Sequence, residues 1–263
     1  MRADGRAGAR RWAAHARVAL LAAGGVLLVF AGAPRLGAAV AGAAGDRLAA
    51  RLAAGDRLSQ GDLARLVRSE AAAVRWHPSG ERLARLGKAQ YLLADQPGER
   101  VAAPGELRRA AEVALGRGLA RAPVDPAAWV ALADLELASG ATAASSRALA
   151  LSLQTGASDP ALLWRRLDLA LAVYPATDAA DRWLLTDAVR RAWSADPART
   201  AAIVRNRGAA ALAGAALAAL PGAGERLAAL LAAPASLPNP AAPAGAGRVG
   251  EPRRGSEAPA RPN

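Results

Sequence analysis

Cysteine is absent from this chain of 263 residues, which excludes disulfides, thiolate metal sites and a cysteine nucleophile. That absence is compatible with either side of a bacterial membrane. Aromatic residues make up only 3% of the chain although hydrophobic residues make up 53%, so alanine and leucine must do most of the packing. Such a composition favours helices lying close against helices. Histidine is nearly missing too. His15 falls in the basic N-terminal leader, and His77 precedes Pro78 at a helix connection, without the orienting partner that general-base work needs. There is no HExxH, no phosphate-binding glycine loop and no GxSxG nucleophile turn. No catalytic residue, metal ligand or cofactor is assigned.

Lysine is represented once, by Lys88, so almost all of the formal charge of +12 rests on arginine. Its distribution matters more than its size. Residues 1–36 hold six arginines against Asp4, and the tail from Ala233 holds four arginines against Glu251 and Glu257. The segment between them is a mildly basic, ordinary surface. No basic run is interleaved with aromatics as a single-strand groove would require, so nucleic acid is not expected as a partner.

Val18 to Pro34 is an uncharged, largely apolar run of 17 residues between Arg17 and Arg35. As a helix it spans about 26 Å, a little under a hydrocarbon core of roughly 30 Å. Arg2, Arg6, Arg10, Arg11 and Arg17 precede it, so the positive-inside rule leaves residues 1–17 in the cytoplasm and all that follows outside. Residues 18–34 are expected to anchor the chain in an inner membrane. A cleaved signal peptide is the competing reading, because the small residues of "AVA" at 39–41 suit a signal peptidase.

Beyond the anchor, Leu63, Leu66, Val67, Ala71 and Val74 recur at helical spacing until Pro78 ends the run, so residues 37–78 read as a helical linker. No alternating stretch is long enough to predict a strand, and the fold class is all-α. Asp-Pro pairs at 125/126, 159/160 and 196/197 then punctuate the chain at intervals of 34 and 37 residues. Each suits an aspartate N-cap with proline in the first turn, and a period near 34 is that of helix-pair repeats.

Over residues 106–160 the pattern resembles the tetratricopeptide repeat family. Trp129, Leu132 and Ala133 fit the large-x-x-Leu-small signature of its first helix, Gly140 falls at its turn, and Ser145, Leu149 and Leu153 fall on its second helix. One period earlier stand Ala111, Leu115, Leu119 and Pro123, with the Leu86-Gly87 couple upstream. The resemblance implies a tetratricopeptide-like helix-hairpin solenoid over 79–208, preceded by one transmembrane helix. Residues 209–232 would cap the stack, and 233–263, rich in Pro, Ala and Gly without periodicity, would be disordered.

The same resemblance places Val130, Asp134 and Arg165 at exposed, partner-binding positions of the first helices. Trp76, Trp129, Trp164, Trp183 and Trp193 read as packing residues, and Asp125, Asp159 and Asp196 as caps. The expected function is a non-catalytic membrane-anchored scaffold whose repeat groove takes other envelope proteins or peptide segments. Its layout is similar to that of small anchored helical-repeat proteins of exopolysaccharide or O-antigen assembly. Two alternatives stay open: a glycosidase-like envelope enzyme on an α-superhelical frame, and a secreted soluble binding protein.

Overall fold

The computed structural model describes residues 4–96 and 103–233. The tail expected to be disordered, from 234 onward, and residues 97–102 lie outside the described residues. Within them the chain is all-helical, without strands. Its α-helices are α1 (Asp4–Ala53), α2 (Gln60–Trp76), α3 (Gly80–Ala94), α4 (Pro104–Leu119), α5 (Pro126–Ala138) and α6 (Thr142–Gly156). They continue with α7 (Leu163–Val173), α8 (Arg182–Ala195), α9 (Pro197–Arg207), α10 (Ala210–Leu217) and α11 (Ala223–Ala232).

Helix starts follow local chemistry. Ser59 and Ser79 cap α2 and α3, accepting from the amides of Asp62 and Arg82 at 3.2 and 3.3 Å. Asp125 caps α5 through the amides of Ala127 and Ala128, both at 3.0 Å, and Asp196 caps α9 through that of Arg199 at 3.0 Å. Proline follows each aspartate at the first helical position, where no amide is needed. Asp159 departs from this pattern. It accepts from Ala161 at 2.9 Å, but a turn intervenes and α7 begins only at Leu163. At the other ends, Pro78 forces His77 into an extended conformation that closes α2, and Gly140, with φ +82°, turns α5 into α6.

Successive helices pack in sequence, and the odd-numbered ones also touch one another: α3 meets α5, α5 meets α7, and α7 meets α9. The core is a chain of clusters handed from one pair to the next. Trp129 and Leu132 are shared between a cluster containing Ala111, Leu115 and Leu119 and one containing Leu149, Leu153 and Leu169. Ser145 stands in that interior fully buried, and its hydroxyl donates to the carbonyl of Ala133 at 2.7 Å, which satisfies the polar group. Of the tryptophans read as packing residues, Trp193 is buried and Trp129 and Trp164 are half-buried. Trp76 and Trp183 are exposed, so the packing assignment fails for those two.

Gly87 is fixed by close approach. A Cβ there would lie 2.7 Å from Leu115 Cγ and 2.9 Å from the carbonyl of Ala111, so α3 and α4 meet backbone to side chain. Gly87→Ala is expected to cost about 1 to 3 kcal/mol through overpacking, read as a lower unfolding midpoint in denaturant. An unchanged midpoint would mean that the α3–α4 contact is looser than described.

Residues 37–78 are not a linker between anchor and domain. α1 continues past Pro34 without interruption to Ala53, and its small residues face α2. Ser69 of α2 accepts from the amide of Gly45 at 3.0 Å and donates to the carbonyl of Ala41 at 3.0 Å. Alanine and glycine supply this contact with little hydrophobicity, which is why it does not stand out as a packing face. Upstream on the same helix, Leu20, Leu21, Val26, Leu27, Val29 and Phe30 are all exposed. α1 is long and apolar enough to cross a membrane.

At the far end two helices, α10 and α11, close the stack on α8 and α9. Arg190 donates to the Ala216 carbonyl at 2.8 Å, and Arg205 to that of Leu230 at 2.5 Å.

Candidate functional site

A cleft of about 640 Å³ opens between α1, α3 and α5. Its α1 wall is small and apolar, with Ala49, Leu52 and Ala53, and its α5 floor includes Ala127, Ala128 and Ala131. The α3 wall is cationic: Arg82, Arg85 and Lys88 recur every three residues and so share one helical stripe. Alanine leaves room, and the long basic side chains line it.

Carboxylates hold two of these cations. Glu70 of α2, fully buried beneath them, accepts from Arg82 Nη1 through Oε2 at 3.2 Å. Asp46 of α1 accepts from Arg85 Nη1 at 3.0 Å and lies 3.6 Å from Arg82. Lys88 differs, since no carboxylate of the described residues reaches within ion-pair distance of it. Burial holds its ammonium below the ordinary lysine value, against the attraction of Asp134 and Asp125. The one lysine of the chain therefore lines the cleft as its least neutralised cation.

From Lys88 a line of charge runs along the odd helices. Arg165 Nε of α7 donates to Asp134 Oδ2 of α5 at 2.9 Å while Nη2 stands 2.5 Å from Oδ1. The same guanidinium reaches Asp168 at 2.8 Å, and Arg207 of α9 grips Asp168 with two bonds, of 2.6 and 2.7 Å. Paired, forked contacts of this kind fix geometry as well as charge.

Glu70 and Asp134 both have carboxyls pushed above their ordinary values by burial, with arginine opposing: Arg82 for Glu70 and Arg165 for Asp134. The folded protein thus holds the Glu70 proton more tightly than the unfolded chain does. Its contribution to stability is greatest at low pH and is lost as pH rises through the folded pKa. Glu70→Gln, neutral at every pH, should therefore be at least as stable as the parent at pH 7, with any advantage shrinking on acidification. A variant less stable at pH 7 than at pH 4, relative to the parent, would reverse that sign.

Two of the three residues expected to meet a partner come together, and the third does not. Asp134 and Arg165 are bonded to each other. Val130 is only 5% exposed and lies in the core with Leu169 and Val173 of α7, so its assignment to an exposed binding position is corrected. Helical spacing puts Val130 near Asp134 but does not say which side of that stripe meets the next helix. Sequence reading missed Lys88, Asp168, Arg207, Arg82 and Arg85. A signal existed for Asp168, which stands one repeat of 34 residues after Asp134, and for the stripe 82-85-88.

His77 closes α2 through its backbone amide. Among the described residues no group of three His, Asp or Glu side chains is placed to hold a metal ion. In comparisons with known proteins, the chain matches no family model, no curated protein and no solved structure.

Proposed function

We propose that this chain is a non-catalytic scaffold anchored by α1 in a bacterial inner membrane, which holds segments of other envelope proteins in the α1–α3–α5 cleft. One observation carries the reading. A single uninterrupted helix exposes Leu20, Leu21, Val26, Leu27, Val29 and Phe30, then becomes the first packed element of the helical stack and one wall of its cleft. A large exposed apolar surface of that length has a natural solvent in lipid.

The domain it carries suits recognition. Helices that touch both the next element and the next but one have the nearest-neighbour construction of a solenoid, and the residues 106–160 support a tetratricopeptide-like one. Cations on one wall, small apolar residues on the other and aspartates at the rim suit an extended segment of mixed polarity. Confinement of both partners to one membrane raises their effective concentration. By the positive-inside rule the arginine-rich leader supports a cytoplasmic N-terminus and a periplasmic helical domain. Similarity of layout points to exopolysaccharide or O-antigen assembly as the setting.

The natural lack of cysteine makes topology simple to test. Single cysteines at Ala7 and Ala138 should behave oppositely in intact spheroplasts treated with a membrane-impermeant maleimide. Ala138→Cys should be labelled and Ala7→Cys protected. Equal labelling of both, or the reverse order, would overturn the orientation.

A further inference from the structure

The apolar run of α1 ends at Arg35, but its exposed apolar surface does not. Leu36 and Val40, on the side of α1 away from α2, are 67% and 71% exposed. Trp76, the last residue of α2, is 59% exposed and lies against the same helix. A Cβ on Gly37 would fall 2.5 Å from Trp76 Cε3, so the indole rests on bare backbone. Three large apolar side chains thus surround about one turn of α1 in positions that water does not favour.

Their level along the helix is fixed by the antiparallel pairing. Ser69 stands opposite Ala41 and Gly45, and Trp76 opposite Gly37, so α2 descends to the point where α1 leaves its apolar run. The charges nearby are of one sign. Arg35 and Arg75 are exposed and form no ion pair among the described residues, and α1 has no acidic residue between Asp4 and Asp46. Glu81, an exposed carboxylate five residues after Trp76, is engaged by Arg85, and Asp46, further along α1, by Arg82 and Arg85.

We propose that Leu36, Val40 and Trp76, flanked by Arg35 and Arg75, form a seat that rests in the headgroup–acyl boundary of the bilayer crossed by α1. This rests on reading α1 as the anchor. Tryptophan is at home at that depth, where its ring is half in hydrocarbon and its N–H meets water, and guanidinium groups meet lipid phosphates there. The seat also settles a deficit of length. Val18 to Pro34 spans about 26 Å, short of a core of roughly 30 Å, whereas Val18 to Val40 spans about 34 Å and fits with modest tilt. Because α1 crosses the surface and α2 ends on it, the stack is held by two points instead of one, and the cleft keeps a fixed attitude to the membrane.

The test uses the full-length protein in vesicles whose phospholipids are brominated near the top of the acyl chain, a short-range quencher of indole fluorescence. Trp12→Phe serves as the background, because Trp12 lies beside the opposite interface in the leader sequence. Phenylalanine at 76 keeps a ring on Gly37, so Trp12→Phe with Trp76→Phe is compared with Trp12→Phe alone. The seat is supported if the bromolipid quenches the background protein and the double variant loses most of that quenching, both remaining membrane-bound after an alkaline wash. Equal quenching of both, with both retained, would overturn the seat and leave the anchor standing. So would a photo-crosslinker at position 76 that forms adducts with a second protein in place of lipid. Release of both proteins by the wash would overturn the anchor, and the seat with it.

Discussion

Arg166→Ala is expected to destabilise the helical domain by about 2 to 4 kcal/mol. Arg166 is 2% exposed and has no carboxylate partner among the described residues. Its guanidinium instead donates to the Ser152 hydroxyl at 3.0 and 2.8 Å, to the Ser152 carbonyl at 2.7 Å and to the Gly156 carbonyl at 2.6 Å. Those carbonyls lie in the last turns of α6, at the negative end of its dipole, and that of Gly156 also accepts from the amide of Asp159 at 3.2 Å. Ser152 in turn donates to the carbonyl of Pro126 at 2.8 Å, so one cation joins α7, the end of α6 and the start of α5. Alanine would remove four charge-assisted hydrogen bonds and leave a cavity in their place. Lysine keeps the charge but not the fork, and should fall between the two. Denaturant unfolding of the three proteins measures this order, and an alanine variant within about 1 kcal/mol of the parent would show that the buried guanidinium is dispensable.

The second large effect concerns the membrane. Val26 and Leu27 lie near the middle of the exposed apolar stretch of α1. Replacing both with arginine adds about 5 to 7 kcal/mol to the insertion of that segment, on a scale of about 2.5 to 3.5 for each charge at the centre of a bilayer. Most of the double variant should move from the alkali-resistant membrane fraction to the soluble fraction, whereas Val26→Ala with Leu27→Ala should stay bound. Retention of the arginine variant would mean that α1 is not what holds the protein to the membrane.

What could be read without coordinates, and what could not, divides along the range of the interactions. Ala111, Leu115, Ser145, Leu149 and Leu153 are buried where the 34-residue spacing puts them, and Gly140 turns the chain where it should, because each reflects periodicity within one helix or one turn. Asp125 and Asp196 cap as expected for the same reason. Asp159 has the same dipeptide yet caps a turn, since three residues of further chain are needed before α7 meets its neighbours. Pro34 ends the uncharged run, yet α1 runs through it to Ala53, where its small residues pack on α2. Val130 and Asp134 are four residues apart on one stripe, and only the position of α7 decides that the first is core and the second is an ion-pair partner. The charge line itself joins residues separated by 31 and 39 positions, Arg165 to Asp134 and Arg207 to Asp168, and no local pattern announces such pairs.

In the proposed scaffold, the cleft between α1, α3 and α5 is the surface that meets a partner. Ala127 lies at its floor and is exposed, whereas Val113, on α4, is also exposed but outside the cleft. A photo-crosslinking benzoylphenylalanine at each position, in otherwise intact protein in its native membrane, compares the two directly. The expected result is a discrete protein adduct from position 127 that is absent from 113 and weakened when Lys88 is replaced by glutamate. Adducts from 113 alone, or the same faint background from both, would contradict the assignment of the cleft and move the search for a partner to the even-numbered helices.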